Sequence, residues 1–336
     1  MHTKKGNSLM ANYRRELVNR FWHYQSNFFK DQSLFDRPVV PNSIRPPVFR
    51  PEVAEENNIL IKTDTTEEIK KELRSQIPRG KRHKWFRSMT SSQALAQSVF
   101  GNLKVFKKLD CLSEMKGDDG KPLFIRTPRN YEHFEMEYVV NYLGEPRPTN
   151  IDVFFGGEYR VAVECKLAEY EVGSCSRPKL TSKDPNYLNE YCDGRYVLQQ
   201  RRLERCSLSA IGVKYWKYIP QLFNWSAHSD QIPCPLRHTY QLVRNILAAC
   251  VRTDGVLDAM NGHAVLLYDA RNPAFQPGGR AWNAWNKVHE ALKNPALLQR
   301  CTWQQVLVAL SCEPDLSWLV DQLKLKYGFN FLGETQ

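Results

Sequence analysis

Residues 150–169 read NIDVFFGGEYRVAVECKLAE. Two apolar runs flank a Gly-Gly pair, the pattern of a β-hairpin. Most of the stretch is suited to burial, yet Asp152, Glu164 and Lys166 interrupt it, and unpaired charge is costly to bury. Alternate residues of a strand share a face, so Arg160, Ala162, Glu164 and Lys166 lie together on the second strand. Asp152 joins them if it stands opposite Ala162 and Phe155 opposite Tyr159, with Gly156, Gly157 and Glu158 as a three-residue loop. A two-residue Gly-Gly turn would send Asp152 to the other face.

With that parity, two carboxylates and an ammonium converge at one end of a sheet. Asp152 and Glu164 are hard oxygen ligands suited to Mg2+ or Mn2+, and the Cys165 carbonyl offers a third oxygen. A divalent ion held there stabilises charge on a phosphate under attack and activates a water. Lys166 orients or deprotonates that water, or offsets developing charge. The alternative is a salt bridge of Lys166 to Glu164 or Asp152 on an exposed sheet face.

Outward from the hairpin, FEMEYVVN at 134–141 alternates with period two and predicts a strand. Phe134, Met136, Tyr138 and Val140 share one face; Glu135, Glu137, Val139 and Asn141 share the other. TSSQALAQSVFGNLKVFKKL at 90–109 predicts an amphipathic helix with Leu95, Val99, Leu103 and Phe106 inward. Thr90 and Gln93 fit a capping box at its start, which is preferred for Gln93 over a polar contact in an active site. TYQLVRNILAACV at 239–251 reads as a buried helix, and HAVLLYDA at 263–270 as a buried strand. The middle of the chain thus runs helix, three strands, a long insertion, helix, strand. That order is an α/β arrangement with helices on a mixed sheet.

The flanks divide the chain. Residues 1–78 hold a helix with Leu17, Phe21, Tyr24 and Phe28 at helical spacing, a proline-rich strap at 37–51 and a polar helix at 63–77. Residues 79–280 form the core, with an irregular cysteine-rich insertion at 167–235. Residues 281–336 form a helical extension, built on WQQVLVAL at 303–310 and LSWLVDQLKLKY at 316–327.

The chain has 336 residues, with 47 Lys and Arg against 36 Asp and Glu, a net charge of +11. Such an excess favours polyanionic partners. RGKRHKWFRS at 79–88 concentrates it: Arg79, Lys81, Arg82 and Lys84 suit phosphates, and an aromatic among them suits base stacking. The other reading of that cluster is a solvated turn anchored by one Trp. No apolar run reaches the roughly 18 residues of a spanning helix, and no signal peptide is visible. The nine cysteines, odd in number and scattered, predict reduced thiols and a cytoplasmic protein rather than a disulfide framework. Cys175, Cys192, Cys206 and Cys234 all fall in the insertion. They could bind Zn2+ or an iron–sulfur cluster, although the spacings are long and no C-x-x-C pair occurs; ordinary thiols are the preferred reading. A Walker-type phosphate loop and a nucleophile elbow are both missing from the sequence.

NID…VECK resembles the PD-(D/E)xK motif of restriction-endonuclease-like nucleases, with Asp152 as the first acid and Glu164 and Lys166 as the E and K. Asn150 and Ile151 replace the proline before the Asp. The superfamily core, αβββαβ, matches the order read over 90–270. WFRSMTSSQALAQSVFGNL, VAVECKLAE, KYWKY, CPLRHTYQLVRN and YDARNPAF together resemble a family of bacterial restriction endonucleases of this type, over about 80–280. The resemblance implies a Mg2+-dependent endonuclease acting on duplex DNA in restriction or defence, leaving 5′-phosphate and 3′-hydroxyl ends. It implies an upstream acid, for which Glu137 is favoured over Glu135. Glu169 could extend the site, although surface decoration is preferred for it. Gln241 and Arg244 could touch the scissile phosphate. Double-strand cleavage suits a homodimer or a larger defence complex. Two other functions fit the same residues: a nucleic-acid-binding subunit whose catalytic face is unused, and a repair or recombination nuclease.

Overall fold

Five strands form one sheet whose spatial order is the order of the chain. The computed structural model describes residues 2–36, 44–124, 133–198 and 203–331, so part of the proline-rich strap lies outside the described residues. The first helix, α1 (His2–Phe28), is followed by α2 (Ala54–Asn57), α3 (Glu67–Ser75) and α4 (Ser92–Ala96). A π turn, Gln97–Gly101, continues α4 into α5 (Asn102–Val105). Strands β1 (Phe134–Val140), β2 (Thr149–Phe155) and β3 (Arg160–Cys165) come next. The insertion holds α6 (Ser207–Ala210) and α7 (Tyr215–Leu222), and α8 (Tyr240–Cys250) leads to β4 (Gly262–Tyr268). The chain closes with α9 (Arg280–Ala291), β5 (Leu298–Thr302), α10 (Trp303–Ser311) and α11 (Ser317–Tyr327).

Strand β2 is antiparallel to both β1 and β3, while β4 and β5 run parallel to β3. This is the αβββαβ order of a restriction-endonuclease-like fold, an α/β architecture on a mixed sheet. One sheet face packs Val153, Val163, Cys165, Val265 and Leu267 against α1, α4, α10 and α11. The other packs Phe154, Ala162, Ala264 and Leu266 against α7, α8 and α9. Because β3 and β4 are covered on both faces, their apolar runs are nearly unbroken. Among the described residues, no helix is long and apolar enough to cross a membrane.

Several expectations are corrected. The hairpin keeps the parity but not the register. Val153 pairs with Val163, Phe154 with Ala162 and Phe155 with Val161, so Asp152 stands opposite Glu164, not Ala162, and 156–160 make the turn. Gly157, at φ +99°, takes the left-handed position. The anchors of Tyr159 and Arg160 explain the shift. The Tyr159 ring stacks on His263 with its hydroxyl 3.0 Å from Nδ1. Arg160 donates to Ala249 O and pairs with Asp258. Both residues are pulled toward β4 instead of completing the hairpin.

The alternation of β1 also breaks. Phe134 and Met136 enter the first core, Tyr138 and Val140 the second, because Glu137 between them adopts φ +54°. Thr90 and Gln93 form no capping box. Ser91 caps α4 by accepting from Ala94 N, which releases the Gln93 side chain. A strand, β5, lies in what reads as a purely helical extension. α7 lies in the segment that reads as irregular, where Pro220 interrupts the periodicity. Phe28, expected inward on α1, is largely exposed.

Candidate active site

The register of β1 on β2 flanks Glu137 with the pairs Met136–Val153 and Tyr138–Ile151, which sets Glu137 opposite Asp152. One step beyond Val153–Val163, Asp152 faces Glu164. Glu137, Asp152 and Glu164 therefore form a row across three adjacent strands. Glu137 and Glu164 are buried, and Asp152 is partly open. A non-glycine residue at positive φ is strained, and here the strain falls on the first acid of the row.

Each acid has different company. Glu164 Oε1 lies 2.8 Å from Lys166 Nζ, while Oε2 accepts from Asn245 Nδ2 at 2.8 Å and lies 3.6 Å from Arg244 Nη2. Asp152 Oδ2 accepts from Cys165 N at 2.7 Å. Glu137 Oε2 accepts from Asn150 Nδ2 at 3.0 Å. Burial raises the pKa of Glu137, and the Glu164 charge adds to it against hydrogen bonds from Gln93 and Asn150. Burial also pushes Asp152 well above the usual carboxylate range, reinforced by Glu164 and Glu137. Burial alone would lower Lys166, but Glu164, Glu169 and Asp152 outweigh it and raise its pKa. That company favours the ammonium form of Lys166, which suits orienting groups and offsetting charge.

The supports come from distant parts of the chain. Helix α8 presents Gln241, whose Oε1 accepts from Lys166 Nζ at 3.0 Å. A Cβ at Gly173 would strike Gln241, so glycine there gives the amide its room. Arg244 donates to Asn245 Oδ1 and to Asn150 O, which makes it a buried brace for both asparagines. Gln93 reaches across the entrance, accepting from His83 N and donating to Lys81 O. Lys81 donates to Glu137 O and pairs with Glu135. The exit of β3 is clamped: Trp303 Nε1 donates to Lys166 O, and Asn272 Nδ2 donates to Leu167 O and Glu169 O. Glu169 accepts from Leu167 N and Ser92 Oγ.

The row opens into a cleft of about 1420 Å³, larger than the roughly 300–1,000 Å³ of a small-molecule pocket. Asp152, Glu164, Cys165, Lys166, Glu137, Glu169, Gln241 and Arg244 all line it. Its outer wall includes Arg14, Trp22, Arg45, Lys81, His83, Trp85 and Arg87, so the N-terminal segment and the basic cluster contribute to one groove. Arg79 and Arg82 turn instead to Glu55, and Lys84 lies over Trp85. Of the four basic residues singled out in that cluster, Lys81 is the one that lines the cleft.

Residue reasoning missed Asn245 and Asn150, and placed Gln93 at a cap. The signal was present for Asn245: in TYQLVRN it lies one turn beyond Gln241, so both face the acids. Nothing local marks Asn150 as a partner of Glu137, because that contact crosses strands.

The donor set fits a hard divalent cation. Three carboxylates in register exceed the positive charge that touches them, and two have raised proton affinities, as expected where a cation is missing from the balance. Among the described residues, no group of three or more His, Cys, Asp or Glu side chains forms a metal-holding arrangement as it stands. Lys166 occupies Glu164 Oε1, and Asp152 is turned onto the Cys165 amide. The sequence pattern of one protein family, described as Restriction Endonuclease associating with ARP, matches residues 23–328. No curated protein and no solved structure matches the chain.

Proposed function

The chain belongs to the family of restriction endonucleases associating with ARP, and on that footing we propose that it is a divalent-metal-dependent DNA endonuclease of restriction or anti-phage defence. The observation that carries this reading is the row Glu137, Asp152, Glu164 with Lys166 on its last member, set in a cleft with a basic wall. Asp152, Glu164 and the Cys165 carbonyl would hold Mg2+ or Mn2+, with Glu137 as the further acid. The bound ion supplies Lewis-acid stabilisation of the phosphate and a lowered pKa for the attacking water. Lys166 donates toward that water and the phosphate oxygens. Its contacts with Glu164 and Gln241 hold the ammonium in place for electrostatic work, and the proton of the attacking water would leave to solvent. Gln241 fixes the Lys166 ammonium, and Asn245 fixes Glu164. Lys81, His83, Trp85 and Arg87 flank the DNA backbone.

Residues 79–280 would be the nuclease core, with the N-terminal segment supplying cleft wall through Arg14 and Trp22 and the C-terminal segment adding β5. The family description names ARP as a partner, and the working unit proposed here includes it. Double-strand scission would take two such sites in a dimer or larger complex.

Plasmid nicking tests the reading. Supercoiled DNA is incubated with protein and Mg2+ or Mn2+, beside Lys166→Ala, Asp152→Ala and an EDTA control, with and without the partner. Cleavage by the wild type alone supports it. DNA binding shared by all three proteins, with no cleavage under any condition, would sink it in favour of a binding subunit on the same fold.

A further inference from the structure

The cleft makes no use of the four cysteines of the insertion. Cys175, Cys192, Cys206 and Cys234 come from separate stretches of chain, yet all four line one small cavity of about 10 Å³. None is in a disulfide. Backbone hydrogen bonds lace three of their loops together: Cys175 N donates to Arg237 O at 3.1 Å, Cys192 N to Pro178 O at 3.2 Å and Cys234 N to Gly194 O at 2.8 Å.

The sulfurs are met by main-chain donors. Arg177 N donates to Cys175 Sγ at 3.4 Å. The amides of Leu208 and Ser209 point at Cys206, and that of Leu236 at Cys234. Amides two residues ahead of a sulfur stabilise a thiolate, and such outer hydrogen bonds orient metal-bound sulfur. The thiols are close enough that charge on Cys206 or Cys192 would raise Cys175 and Cys234. Burial pushes the Cys175, Cys206 and Cys234 thiols up, and this repulsion adds to it. Arg177, Arg195 and Arg237 also line the cavity, set to offset the surplus charge that four thiolates leave around a divalent ion.

The surrounding segment needs such a staple. Between β3 and α6 the described chain has isolated bridges and one short 3-10 turn, Tyr187–Asn189. Tyr170, Tyr187, Leu188 and Tyr191 are exposed there, while Val172, Leu180, Tyr196 and Val197 are its buried apolar anchors.

We propose that Cys175, Cys192, Cys206 and Cys234 form a four-thiolate structural site for one tetrahedral Zn2+ ion, separate from the acid row. The cavity has about the room of one water-sized sphere, which suits a single ion. The side chains are not in a ligating arrangement in the metal-free chain. Binding turns them inward and releases up to four protons to solvent with no change of oxidation state. Cys234 immediately precedes the turn Pro235–Arg237 that leads into α8, so the ion would brace the helix carrying Gln241 and Asn245.

The test uses full-length protein purified without chelator, with zinc measured by mass spectrometry and cobalt substituted for zinc in a parallel sample. One zinc per chain is expected, with an intense sulfur-to-cobalt charge-transfer band. Asp152→Asn should keep both, and Cys234→Ser should lose both. Cys206→His, which keeps a ligand, should retain the metal with an altered cobalt spectrum. If Cys234→Ser does not fold, alkylation of the wild type decides: Cys175, Cys192, Cys206 and Cys234 should become reactive only when a chelator is added, while Cys165, Cys250 and Cys301 stay buried. Absence of the thiolate–cobalt band in folded wild type, zinc retained by Cys234→Ser, zinc lost only in Asp152→Asn, or bound iron with inorganic sulfide would each overturn the proposal.

Discussion

Two aspartates on either side of β3, Asp152 within β2 and Asp269 just past β4, are treated in opposite ways. Asp269, just past β4, is wholly enclosed and fully partnered. Its carboxylate accepts from Arg271 Nε and Nη2 at 3.0 and 2.6 Å, from the Arg271 amide at 3.0 Å and from Gln304 Nε2 at 2.8 Å, with the Tyr13 hydroxyl 2.9 Å away. Asp152 has one main-chain donor, two carboxylates for neighbours and the Lys166 ammonium, whose pull on it is outweighed. A buried charge that is paired braces a fold, whereas one left in like-charged company holds a place for something that arrives later. Asp269 ties α1, α10 and the loop after β4 to the exit of β3. Asp152 adds a carboxylate to the acid row at that exit.

The contrast can be broken most severely through chemistry. Asp152→Ala or Lys166→Ala is expected to lower metal-dependent cleavage by 10³-fold or more, about 4 kcal/mol of transition-state stabilisation, while DNA retention in gel shifts stays within a few-fold of wild type. Equal loss of binding and cleavage would assign those residues to the fold or to DNA contact. Asp269→Ala should act on stability, costing about 3 kcal/mol by leaving Arg271 and Gln304 without their acceptor. Urea titration of the two variants separates the cases, and a stability loss as large in Asp152→Ala would erase the distinction.

Charge balance gives a third test. Asp152 carries a raised pKa in the folded chain, so between the ordinary carboxylate value and that raised value the folded state binds more protons than the unfolded. Stability of metal-free protein then falls as pH rises through that window. Asp152→Asn should remove this slope and stabilise the metal-free protein near neutral pH. It should also abolish stabilisation by Mg2+, whose apparent affinity in the wild type should grow with pH as the protons leave. Melting curves at several pH values with and without Mg2+ supply the data; identical slopes for the two proteins would refute the account.

A further test lies away from both aspartates. Lys326 is fully buried, donates to Asn58 O and Oδ1, and is pushed down to about 7 by burial. Between that value and the ordinary lysine range the unfolded chain holds a proton that the folded chain does not, so stability should rise with pH from about 7 to 10. Lys326→Met should flatten that rise in denaturant titrations, and a rise that survives the change would place its source elsewhere.

By itself the sequence determined the α/β class, the hairpin, its face parity and the convergence of Asp152, Glu164 and Lys166. Each follows from a period of two or 3.6 that neighbouring residues enforce wherever the chain is half-buried. The order of helix and strands was legible for the same reason. Tertiary structure alone decided the register, because Tyr159 and Arg160 find His263 and Asp258 about a hundred residues away. It decided the left-handed turn of Glu137, which no local pattern demands of a glutamate and which brings that acid into the row. It also decided the company of each charge. Gln93, Asn150 and Asn245 are ordinary polar residues in their own segments, and become partners of Glu137 and Glu164 only when α4, β2 and α8 close on the sheet. β5 stayed hidden because LQRCT is too short and too polar to declare a strand until β4 offers it an edge. Local periodicity fixes which residues share a face, but only packing fixes which faces meet, and the chemistry of this site depends on the meeting.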